Sequence, residues 1–72
     1  MVSVELIQIE IGRLTDQIAH MNEHIALLQS GKMVITMNGA NVSEETVSDH
    51  MARIETNMTL ISQWEKLLAQ GT

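Results

Sequence analysis

Three places in this sequence carry residue types that could do chemistry. His20-Met21-Asn22-Glu23-His24 sets two imidazoles four residues apart. On a helix that is one turn and one face, where a histidine pair can share a metal ion. A third ligand is missing, because Glu23 lies elsewhere around the helix and the His-Glu-x-x-His order of a zinc protease is absent. Gly31-Lys32 lacks the upstream glycine and the following Ser or Thr of a phosphate loop. Asp49 and His50 are sequence neighbours, which a helix splays about 100° apart, so they form no dyad. There is no cysteine, and no serine is flanked as an activated nucleophile is. The sequence predicts histidines flanking a core, no metal site, no cofactor and no enzymatic activity.

Composition narrows the classes further. Seventy-two residues allow one domain, residues 1–72, and a thin core. No disulfide is available to brace it, so oligomerisation or docking on a larger partner is expected. Nine acidic residues oppose four basic ones, and Arg13, Lys32, Arg53 and Lys66 are scattered. A phosphate-neutralising surface needs clustered cations, and one aromatic, Trp64, makes no base-stacking platform, so nucleic acid is not an expected partner. No segment has the length and apolarity of a membrane span. The N-terminal MVSVELIQIEIG lacks the basic start and cleavage region of a signal peptide, so a cytoplasmic or virion-borne protein is expected. The Asn41-Val42-Ser43 and Asn57-Met58-Thr59 sequons are then coincidental.

Two elements must position everything else. Val4, Ile7, Ile11, Leu14, Ile18, Met21, Ile25 and Leu28 follow one another at alternating steps of three and four. That seam predicts a helix over about 3–29 lying lengthwise on another, with Gly31 as a left-handed cap after Ser30. Val47, Met51, Ile54, Met58, Ile61, then Trp64 or Glu65, and Leu68 predict a second helix over about 44–70. Ser43 is its expected N-cap, Glu44 and Glu45 suit the positive end of its dipole, and Gly71 ends it. Gly12 sits mid-helix, where it costs about 1 kcal/mol relative to alanine. Beside Ile11 it either admits the close approach of another helix or is merely tolerated in an exposed position.

The antiparallel hairpin these helices make has unlike ends. Val2, Leu6 and Ile9 add apolar residues near the start of the first helix, and Leu60, Trp64 and Leu67 do so near the end of the second. Both sets fall at the end distant from the connection. Two helices cannot bury faces that wide against each other alone, so these six residues are the expected interface, with Trp64 its anchor.

The connection is long for a helix turn. Met33-Val34-Ile35-Thr36-Met37 is a strand-favouring run, and Asn38-Gly39 signals a tight turn with positive φ at both residues. Ala40-Asn41-Val42 is the return strand, giving a β-hairpin over about 33–42. A lone two-stranded hairpin is marginal in water, so it is expected to lean on Leu27, Leu28 and Val47. Val34, Ile35, Asn38, Gly39 and Val42 are its expected contact residues for a partner. The predicted fold is mainly α with some α+β character: an antiparallel two-helix hairpin joined by a short β-hairpin.

This order of elements has residue-level likeness to a known family. Gly31-Lys32-Met33-Val34-Ile35-Thr36-Met37 resembles the G-K-x-V-x-T-hydrophobic strand of the gpW-like head–tail joining proteins of tailed phages. Gly39-Ala40-Asn41-Val42 is similar to that family's G-x-x-V return strand. Thr46-Val47-Ser48-Asp49 followed by Ile54 is similar to its second-helix start, V-S-D and then an isoleucine. The likeness covers residues 31–54, and the rest agrees only in helix placement. Here the hairpin is shorter, the helices are longer and the chain is acidic. The resemblance implies a small structural protein, a homo-oligomer docked as a ring between portal and tail. The apolar end with Trp64 would contact neighbouring copies or the portal, and the β-hairpin would contact the next component. The alternative reading is a soluble helical interaction module, such as a phage-encoded inhibitor of a host or defence protein, using the same apolar patch.

Overall fold

The computed structural model describes residues 3–70, so Val2 and Gly71 lie outside the described residues. The elements run α1 (Val4–Gln29), β1 (Thr36–Met37), β2 (Ala40–Asn41) and α2 (Ser43–Gln70). The helices pack antiparallel along their length into a rod of 52 × 17 × 16 Å. Neither helix is long and apolar enough to cross a membrane.

Both ends of α1 are closed by local sequence. Ser3 caps α1, its hydroxyl accepting from the Leu6 N–H at 3.5 Å, with Glu5 in the first turn. At the other end Gly31 takes φ +77°, a conformation that costs glycine nothing, and its N–H reaches the Leu28 carbonyl at 3.4 Å. Met33 then donates to the Leu27 carbonyl at 3.2 Å. This contact is why the expected strand over 33–37 is shorter than its apolar run: the Met33 N–H is spent on closing α1. The ladder pairs Thr36 with Asn41 and Met37 with Ala40, and Val42 adds a bond to the Ile35 carbonyl at 2.9 Å. Asn38 at φ 53° and Gly39 at φ 83° make the two-residue turn, as their sequence predicts.

Ser43 has a different task from the expected one. The Val42 carbonyl accepts the first helical bond of α2, from Thr46 N–H at 2.9 Å, and the Asn41 side-chain oxygen accepts from Ser43 N–H at 2.9 Å. Asn41 and Val42 thus cap the helix, which begins at Ser43. The Ser43 hydroxyl is freed to accept from Ile35 N–H at 3.0 Å, tying the β-hairpin to the start of α2.

Counting Val4 as heptad position a in α1, the d row of Ile7, Leu14 and Leu28 is buried with Ile25 of the a row. Ile11, Ile18 and Met21 are half-buried and Val4 is exposed. In α2, counting Val47 as position a, the residues turned inward are Val47, His50, Ile54, Asn57, Ile61, Trp64 and Leu68. The expected Met51 and Met58 are not among them; they are 48 % and 58 % exposed. The strict alternation of three and four runs through His50 and Asn57, and the methionines stand one position along, on the flank.

Candidate functional site

The polar residues of the α2 seam are the first candidate. Asn57 is buried opposite Leu14 and donates to the Gln17 side-chain oxygen at 3.0 Å and to the Leu14 carbonyl at 3.5 Å. About two turns into α2, the His50 ring stacks on His24 with centroids 5.6 Å apart and planes at 26°. His50 Nδ1 is buried without a hydrogen-bond partner. His20 is occupied on its own helix, Nδ1 donating to the Asp16 carbonyl at 2.9 Å. Near-parallel stacked rings do not aim their nitrogens at one point, and metal ligands must converge at about 2.0–2.1 Å. Among the described residues, no three His, Cys, Asp or Glu side chains group as a metal ion requires.

These seam residues were hidden in the sequence by their polarity. The only signal for them is the spacing 47, 50, 54, 57, 61, 64, 68, which keeps its phase where apolarity lapses. The finding also removes Asn57 as a glycan acceptor, since its amide lies inside the helix pair. A buried Asn in such a seam fixes register at a cost in stability. Asn57→Leu is therefore expected to raise the thermal midpoint by about 4–8 °C, corresponding to about 1 kcal/mol at this size. Gln17, left at the surface, turns to water. A circular-dichroism melt checks this; a lowered midpoint means the amide bonds outweigh the apolar gain.

Alongside this seam an open groove is lined by Gln17, His20, Met21, Arg53, Thr56 and Asn57. Its neighbours are charged: Arg53 pairs with Asp49 at 2.9 Å, and Arg13 forks onto Glu10. The Arg13 hydrogen bond holds the Glu10 carboxyl below its usual range and raises the guanidinium in turn. Arg13 is exposed and Glu10 half-buried at the surface, where salt screens the pair, so it marks a solvated edge.

The far end is the second candidate, and the structure redistributes its residues. Trp64 is half-buried within the seam instead of lying beside it. Leu60 and Leu67 flank it on the groove side and are exposed. Leu6, 65 % exposed, turns toward that same side of α1. Ile9, 67 % exposed, stands about 200° around the helix from Ile7 and so faces away from α2. The expected single row is thus a patch of Leu6, Leu60, Trp64 and Leu67, with Ile9 behind it. At the connection, Val34 is exposed, Ile35 and Val42 are half-buried and bonded, and Asn38-Gly39 forms the exposed tip.

Comparison of the chain with protein-family models, curated proteins and solved structures finds no match.

Proposed function

We propose that this chain is a non-enzymatic structural protein that works by docking on protein partners, and that its setting is head–tail joining in a tailed phage. There it sits as an oligomer between portal and tail, in the virion or the host cytoplasm. One observation carries the docking: among the described residues, Leu6, Leu60 and Leu67 lie exposed around a half-buried Trp64. A clustered apolar patch with a Trp at its centre is the anatomy of an interface hot spot. The head–tail setting rests on the likeness of residues 31–54 to the gpW-like hairpin, with the primed turn at Asn38-Gly39 and the tie from Ile35 to Ser43 giving that hairpin a fixed place for contact.

The test spares Trp64, because it belongs to the seam. Leu6→Ser combined with Leu67→Ser removes exposed side chains only, so helicity is expected to stay at the wild-type level. Affinity for portal assemblies, read by co-sedimentation, is expected to fall roughly five- to thirtyfold, since two hot-spot flanks are worth about 1–2 kcal/mol together. Undiminished co-sedimentation of the double variant overturns the docking assignment.

A further inference from the structure

The side of the hairpin away from the groove carries a second surface. Gln17, His20, Arg53 and Thr56 mark the groove side, where positions c and g of both helices meet. On the opposite side lie positions a and e, and there the seam is left partly open. Val4 is exposed, Ile11, Ile18, Ile54 and Ile61 are only half-covered, and Met51 and Met58 stand beside them in solvent. On α1 this side is uncharged from Gln8 to Asn22: positions a, e and b there hold Gln8, Ile11, Gly12, Thr15, Ile18, Ala19 and Asn22.

The surface of the whole molecule gives the scale of what is uncovered. A compact monomer of 8.0 kDa exposes about 4,450 Å². This chain exposes 5438 Å². The radius of gyration, 16.0 Å, likewise exceeds the roughly 11 Å of a compact chain of this length. The surplus of about 1,000 Å² matches the about 800 Å² per partner that a stable dimer buries.

We infer that this face is covered by a second copy of the same chain, in a four-helix dimer whose two-fold axis runs parallel to the helices. That symmetry lays α1 of one copy against α2 of the other, and the two rows fit. Gly12 and Ala19 are small and seven residues apart; Met51 and Met58 are long, flexible and also seven apart. Both rows repeat at about 10.5 Å along the axis, so the methionines of one copy meet the small-residue row of the other at each repeat. A contact of this kind is isologous and closes after two copies. It also accounts for Gly12, whose helix cost nothing within its own chain requires: a Cβ there meets nothing within 4 Å.

The inference is independent of the head–tail reading, and its test uses the intact chain. In sedimentation equilibrium at about 100 µM, wild type is expected at twice the 8.0 kDa chain mass. Gly12→Leu and Met58→Glu are each expected at the single-chain mass, while Leu6→Ser with Leu67→Ser keeps the dimer. The absence of native cysteine permits a second measurement that leaves Gly12, Ala19, Met51 and Met58 in place. Spin labels on Asn22→Cys, at the edge of the face, are expected closer across the dimer than labels on Arg13→Cys, which lies on the groove side. Wild type at any other mass, a Gly12→Leu or Met58→Glu variant that stays dimeric, or the reverse order of label distances overturns the inference.

Discussion

Leu14→Asp is expected to abolish the fold, leaving a chain with no cooperative melt and little helical signal in circular dichroism. Leu14 is 3 % exposed, midway along α1, and faces Asn57 across the seam. Burying a leucine side chain contributes about 1.5–3 kcal/mol, all of which the substitution removes. An aspartate there must then either ionise without a partner or take up a proton, and either costs several kcal/mol more. Small domains hold about 5–15 kcal/mol in total, and this one, with four buried apolar side chains among the described residues and none of them completely enclosed, belongs at the lower end. Ile9→Asp is the matched control. The same change of chemistry on the outer face of α1 is expected to move stability by less than about 0.5 kcal/mol. Equal melting of the two variants contradicts the seam described above.

The contrast between Leu14 and Ile9 also marks how far the sequence could be read. In α1 the apolar steps never lapse, so the phase of the helix follows from counting, and Ile7, Leu14, Ile25 and Leu28, its buried residues, all stand on the seam. In α2 two phases compete. Met51 and Met58 offer apolar residues, whereas His50 and Asn57 keep the period, and hydrophobicity alone chooses the wrong pair. What decides between them is the pairing with α1: Asn57 finds Gln17 and His50 finds His24, contacts more than 25 residues distant that no local pattern contains. The Asn-Gly turn was legible because its chemistry is local. The Ser43 hydroxyl was not, since its partner, Ile35, sits across the hairpin.

The same reasoning explains the uneven legibility of the surfaces. Apolar residues near the ends of the helices announce that something is left uncovered, yet which side each faces depends on the seam's phase. With His50 and Asn57 in the seam, Trp64 moves inward and Met51 and Met58 move outward. Two apolar areas result on opposite sides of the rod: the far-end patch of Leu6, Leu60 and Leu67 on the groove side, and the row that Met51 and Met58 join on the other.

The turn gives a prediction confined to the β-hairpin. Gly39 holds φ 83°, where an L side chain is strained, and a β-branched one most of all. No neighbouring atom crowds the position, since a Cβ there meets nothing within 4 Å, so backbone strain is the only effect of substitution. Gly39→Val is therefore expected to destabilise the hairpin by about 2 kcal/mol, or roughly thirtyfold in its opening equilibrium. Ala40→Val, one residue on, falls on an exposed strand position that favours β-branching, and is expected to leave the hairpin unchanged or tighter. Amide hydrogen exchange reads the difference at two sites: Val42, bonded to the Ile35 carbonyl, and Ile35, bonded to the Ser43 hydroxyl. Both amides are expected to lose protection in Gly39→Val and to keep it in Ala40→Val. Amides in the middle of α1 and α2 should be unaffected in either variant, because the helices hold each other through the seam and touch the hairpin only at their ends. Equal loss in the two variants means that the residue at 39 is not held at positive φ, and loss that spreads into the helices means that the hairpin is part of what holds them together.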